Sequence, residues 1–126
     1  MTNWKSVRIA VGAVLLGLVM VASSHAWGVT HENTLTFNRA VALPGVVLPA
    51  GSYLFGLADM SRLNVVVVRS HDRRKVFYMG FTTTVQRPAS MSRNNAVTFG
   101  EASVNEPPPI SIWYEIGDSI GHEFKY

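Results

Sequence analysis

From residue 27 to residue 126, apolar and polar side chains alternate with a period of two in one short run after another, and Gly or Pro separates the runs. No stretch of this region sustains an apolar period of 3.6 through three turns. A helix needs that period to bury one stripe, whereas a strand needs only alternate residues on one face. The pattern therefore predicts an all-β domain: an antiparallel β-sandwich or small barrel of about seven or eight strands, preceded by an N-terminal signal-peptide helix.

The runs can be read individually. Thr34 to Asn38 sets Leu35 and Phe37 on one face, and Val41 to Leu43 continues extended up to Pro44-Gly45. That pair suits a type II turn, because Pro fixes φ at the first central position and Gly accepts positive φ at the second. Val46 to Leu48 follows, then Pro49-Ala50-Gly51, and Ser52 to Asp59 places Tyr53, Phe55 and Leu57 inward. Val65 to Val68 is apolar on both faces, as in a central strand. Val76 to Val85 pairs back on it, with Phe77, Met79 and Phe81 on one face. Arg87 to Asn95 has little to bury and reads as a mobile loop, and Ala96 to Glu101 as a further strand. Pro107-Pro108-Pro109 cannot donate to a ladder and reads as a polyproline crossing. Beyond it, Ile110, Ile112, Tyr114 and Ile116 alternate against Ser111, Trp113 and Glu115, and His122 to Tyr126 makes a last strand.

The first 26 residues have a different character. Lys5 and Arg8 precede an unbroken apolar run from Ile9 to Ala22, after which Ser24 and Ala26 suit the small-residue pockets of a signal peptidase. This predicts cleavage before Trp27, leaving residues 27–126 as one domain that is periplasmic or extracellular. The alternative is an inner-membrane anchor through uncleaved residues 9–22. Those 14 residues fall short of the roughly 20 that a spanning helix needs. With no cysteine in the chain, lipid attachment, disulfides and thiolate metal sites are excluded.

Charge looks different once the leader is set aside. Without Lys5 and Arg8, nine basic side chains face eight acidic ones, and the net charge falls from +3 to +1. That leaves no broad positive field for nucleic acid, so no nucleic-acid partner is expected. The remaining positive density is Arg73-Arg74-Lys75. It reads either as a hairpin tip that discourages edge-to-edge association or as a patch for phosphate, sulfate or acidic polysaccharide.

Signals of chemistry are sparse. His31-Glu32 resembles the start of a zincin helix, but Leu35 stands where the second histidine would be. His71 and Asp72, with His122 and Glu123, offer nitrogen and oxygen ligands for a metal if the two segments converge. Glu101, Glu106, Glu115, Asp118 and Glu123 read as exposed acids, and no serine sits in a Gly-x-Ser-x-Gly elbow. On the alternation above, Trp113 is either covered on a second face or partly exposed, where it would suit sugar stacking or a partner contact.

The segment Leu48-Pro49-Ala50-Gly51-Ser52-Tyr53-Leu54-Phe55, preceded by Thr36-Phe37 and Leu43-Pro44-Gly45, resembles the start of an uncharacterised group of small exported bacterial β-rich proteins. The ending from Trp113 through Gly121-His122-Glu123-Phe124 is similar to theirs as well. The resemblance implies a β-rich fold and export, and it implies no activity. The expectation is accordingly an exported, non-enzymatic binding or structural module, without a cofactor, whose partner is an envelope protein, a polysaccharide or a small ligand. A second expectation is a carrier holding a small apolar or sugar ligand between the 87–95 loop and Trp113. A third is a metal-binding or hydrolytic protein that uses His71, His122 and nearby carboxylates.

Overall fold

The computed structural model describes residues 19–21 and 31–126. The signal-segment assignments therefore lie outside the described residues, apart from a three-residue strand, β1 (Val19–Val21). Every other described element is β as well: β2 (Glu32–Phe37), β3 (Val41–Leu43), β4 (Val46–Leu48), β5 (Gly51–Asp59), β6 (Arg62–Ser70), β7 (Val76–Gln86), β8 (Val97–Phe99), β9 (Ile110–Tyr114) and β10 (Ile120–Phe124). No helix among the described residues is long and apolar enough to cross a membrane.

Seven strands form one curled antiparallel sheet, a half-barrel, in the order β2-β5-β6-β7-β10-β9-β8, and β1 lies antiparallel along the outer edge of β2 opposite Leu35 to Phe37. The β3-β4 hairpin is a separate two-stranded sheet, turned at Pro44-Gly45 with Gly45 at φ 76°, the positive value expected of a glycine there. It packs β3 against β9 and β4 against β7. Ala42 donates its N–H to the Pro108 carbonyl at 2.8 Å, and Gly100 donates to Pro109 at the same distance. The triple proline thus contributes acceptors to the structure, the one main-chain role its missing donors leave open.

The concave face and the hairpin enclose the core: Leu35, Phe37, Val41, Leu43, Leu48, Tyr53, Phe55, Val66, Val68, Val97, Ile110, Trp113 and Phe124. Phe37 and Phe55 lie 6.1 Å apart between ring centroids, and Phe55 and Trp113 are equally close. Such tilted aromatic contacts add about 0.5–1.5 kcal/mol each to the burial itself. The Leu-Pro-Ala-Gly-x-Tyr turn also acquires a mechanism, because the Tyr53 hydroxyl donates to the Pro49 carbonyl and locks the turn to the core.

Two expected faces are corrected. The pairing of β6 with β7 slips between Val68 and Arg69, opposite Tyr78 and Val76, so Phe77 is an extra residue in the ladder. This bulge changes the phase of the strand. Phe77 packs edge-on to Tyr53, whereas Met79 and Phe81 stand 57% and 63% exposed on the convex face. Phe77, Met79 and Phe81 therefore do not share one face.

The second correction concerns β9. Its inward residues are Ile110, Trp113 and, just beyond the strand, Glu115: Trp113 pairs with His122 and Val97 on the concave side, and a slip opposite Thr98 and Phe99 leaves Ser111 as an extra residue that returns Ile110 to the core. Ile112 and Tyr114 belong to the convex face, where Gly121 lies opposite Tyr114. A β-carbon at Gly121 would come within 2.6 Å of that ring, so only glycine lets the ring lie flat there.

Candidate functional site

The inward turn of Trp113 and Glu115 builds a polar cluster in a core that is otherwise apolar. His31 lies immediately before β2, Glu115 immediately after β9, Asp118 in the turn that follows, and His122 in β10. The Glu115 side chain is 1% exposed and that of His122 is fully buried, while the His31 side chain, at 35%, reaches solvent. His31 directs Nδ1 at Glu115 Oε1 across 2.5 Å, and His122 directs Nε2 at Oε2. Each carboxylate oxygen thus receives one imidazole, and the two imidazoles come from opposite ends of the described domain.

Neighbouring groups fix this geometry. The His122 ring stacks on Trp113 with centroids 5.1 Å apart and planes 26° from parallel. Trp113 donates Nε1–H to Asn33 Oδ1 at 3.1 Å, and the same oxygen accepts the Ile116 N–H at 3.2 Å. Asn33 is two residues beyond His31 and, like it, belongs to the β2 side of the core, so a polar seam joins β2 to β9 and β10 across the concave face. Two buried nitrogens of this seam, Asn33 Nδ2 and His122 Nδ1, have no hydrogen-bond partner among the described residues. Unpaired buried polar atoms are costly, which makes this end of the core a poor solution if packing were its sole purpose.

Burial alone would push the Glu115 carboxyl above its ordinary range. The hydrogen bonds from His122 and His31, reinforced by their charges, outweigh that effect, and the net direction is downward. Glu115 is therefore held as a carboxylate. Asp118 adds a second one: His31, Glu115 and Asp118 each offer a ligand atom, and these atoms lie within 4.8 Å of one another.

Arg87 closes the end of the cluster. Its buried guanidinium donates Nη2–H to the Glu115 carbonyl and Nε–H to the Asp118 carbonyl, both at 3.1 Å. Nη1 donates to the Ser92 and Asn95 carbonyls, both at 2.9 Å, and the plane lies over the Tyr114 ring. The 87–95 segment is thus tied to the β9–β10 turn by one side chain. A half-open depression beneath it is lined by Gln86, Arg87, Pro88, Ala89, Met91, Arg93 and Ser119. Trp113 takes no part in that lining, being fully buried, so it presents no stacking surface.

The residues singled out from sequence fall in separate places. His71, Asp72, Arg73, Arg74 and Lys75 form the exposed β6–β7 turn, where Asp72 accepts from Ser70 Oγ and the Arg74 N–H. His122 pairs with Thr84, eight residues along β7 from Val76, which puts it about 26 Å from the turn at about 3.3 Å per residue. His71 and Asp72 therefore do not meet His122, and Glu123 points to the exposed convex side. The basic patch is also smaller than the sequence suggested, because Arg73 forms a bidentate pair with Glu32 and Lys75 lies over the Phe77 ring. Glu115 is buried, contrary to its reading as an exposed acid, and Arg87 carried no sequence signal at all. His31 carries one in its pairing with Glu32, but its partner is the distant Glu115 and not a second histidine at zincin spacing.

No family model, curated protein or solved structure matches the chain.

Proposed function

We propose that the chain is an exported, non-enzymatic β-domain that works as a binding module, with its recognition end at His31, Glu115, Asp118 and His122. The observation that carries this reading is the Glu115 carboxylate, buried in an apolar core yet held by two imidazoles and flanked by polar nitrogens that have no partner among the described residues. A well-packed apolar end would be at least as stable, so the polar groups are best explained by something they bind. Export rests on Lys5, Arg8, the Ile9 to Ala22 run and the Ser24/Ala26 site, together with the resemblance of residues 34 to 124 to small exported bacterial β-rich proteins.

The carrier reading has less support, because aromatic and aliphatic side chains fill the concave interior and the depression beneath residues 88–93 holds only about 230 Å³. Native mass spectrometry of the exported protein from its own host tests the proposal. A reproducible added mass that is lost in His31→Ala supports binding at this end. A bare chain, or an added mass indifferent to that change, contradicts it.

A further inference from the structure

We infer that His31, Glu115 and Asp118 form a binding site for a divalent first-row transition ion of the zinc type. The inference deepens the proposed binding function and rests on it. The three groups supply one imidazole nitrogen and two carboxylate oxygens, donors that such ions accept together. Their ligand atoms already lie within 4.8 Å of one another, although residues 31 and 115 are 84 positions apart in the chain. Two carboxylates and a neutral imidazole neutralise a doubly charged ion. This matters at a site whose central ligand, Glu115, is nine-tenths buried or more.

The surroundings match what a metal-binding carboxylate requires. Glu115 has its second oxygen held by His122, whose ring is wedged against Trp113, so the carboxylate is oriented by a group that is not itself a ligand. Arg87 fixes the main chain of both carboxylate residues through their carbonyls. His31 now lies 2.5 Å from Oε1. Two ligands of a tetrahedral ion with bonds of about 2.0–2.1 Å are about 3.3 Å apart, so the ion enters where the bridging proton lies and His31 withdraws by under about 1 Å. His31 is the partly exposed member of the group, at the start of β2, and is free to make that movement. The exposed side of His31 and Asp118 leaves a path for entry and for a water as fourth ligand.

Isothermal titration of the exported protein with zinc chloride at neutral pH tests the site. The expected result is one equivalent bound, weakened at least tenfold by His31→Ala and by Asp118→Asn, and unchanged by His71→Ala. Both weakening substitutions are at partly exposed positions, and unchanged circular dichroism verifies the fold. Absence of saturable binding up to millimolar zinc overturns the inference, as does binding that survives both substitutions or is lost in His71→Ala. If zinc fails but the host-derived mass sensitive to His31→Ala persists, the ion is wrong and the binding end stands.

Discussion

Arg87 donates to the main-chain oxygen of Glu115 while the Glu115 side chain receives two imidazoles. One residue thereby joins the loop after β7 to the polar end of the core. The guanidinium reaches four carbonyls through a planar fork, a geometry that a lysine ammonium cannot reproduce. Arg87→Lys should cost about 2–3 kcal/mol in urea denaturation, from carbonyls left without a donor. Hydrogen exchange should speed up selectively in residues 88–95 and 115–119. Uniform exchange across the sheet would mean that Arg87 does not couple these segments.

The depressed Glu115 carboxyl makes a signed prediction for acid stability. A group whose folded pKa lies below its unfolded value contributes stability above the unfolded value, and that contribution is lost as pH falls through the folded one. Wild-type stability should therefore decline from the ordinary carboxylate range downward. Glu115→Gln should be less stable at neutral pH and flatter on the acid side. Urea midpoints measured from pH 7 to pH 2 check this, and parallel curves for the two proteins would refute it.

The phase of β9 can be tested by contrast. Trp113 is fully buried and Ile112 only half-buried on the opposite face. Trp113→Ala should cost about 3–5 kcal/mol, whereas Ile112→Ala should cost about 1 kcal/mol, less than a full core truncation. A reversed order in thermal or chemical denaturation would restore the face assignment that alternation alone suggests.

Gly121 provides a steric test of the β9–β10 pair. A methyl group there meets the Tyr114 ring at 2.6 Å. Gly121→Ala should cost about 1–3 kcal/mol as an overpacked site, and Tyr114→Ala in the same chain should recover part of the loss. Additive effects in the double variant would show that the two positions do not touch.

The all-β class and most of the strands were legible because period-two alternation and Gly/Pro turns are local properties. Pro44-Gly45 and the central Val65 to Val68 strand fall where local reasoning places them. What local reasoning could not supply was the phase of strands that carry apolar residues on both faces. In Ile110 to Ile116 the aliphatic set looked like the core set, yet Trp113 is the larger apolar group, and the curl of the sheet turns its face inward. That single reversal hid Glu115, and with it the cluster. The bulge at Phe77 had the same effect on β7, since an inserted residue leaves no mark in the alternation itself. Contacts such as Asn33 with Trp113, 80 residues apart, depend on closure of the half-barrel and have no sequence signature.

The imidazoles at Glu115 are observed directly in a long-range proton–nitrogen correlation spectrum of the histidine side chains. A slowly exchanging Nε2–H from His122 should appear and vanish in Glu115→Gln. The His31 resonances should shift in that variant while those of His71 stay in place. Three histidines with identical, solvent-like signals that ignore the substitution would contradict the buried cluster and the binding end built on it.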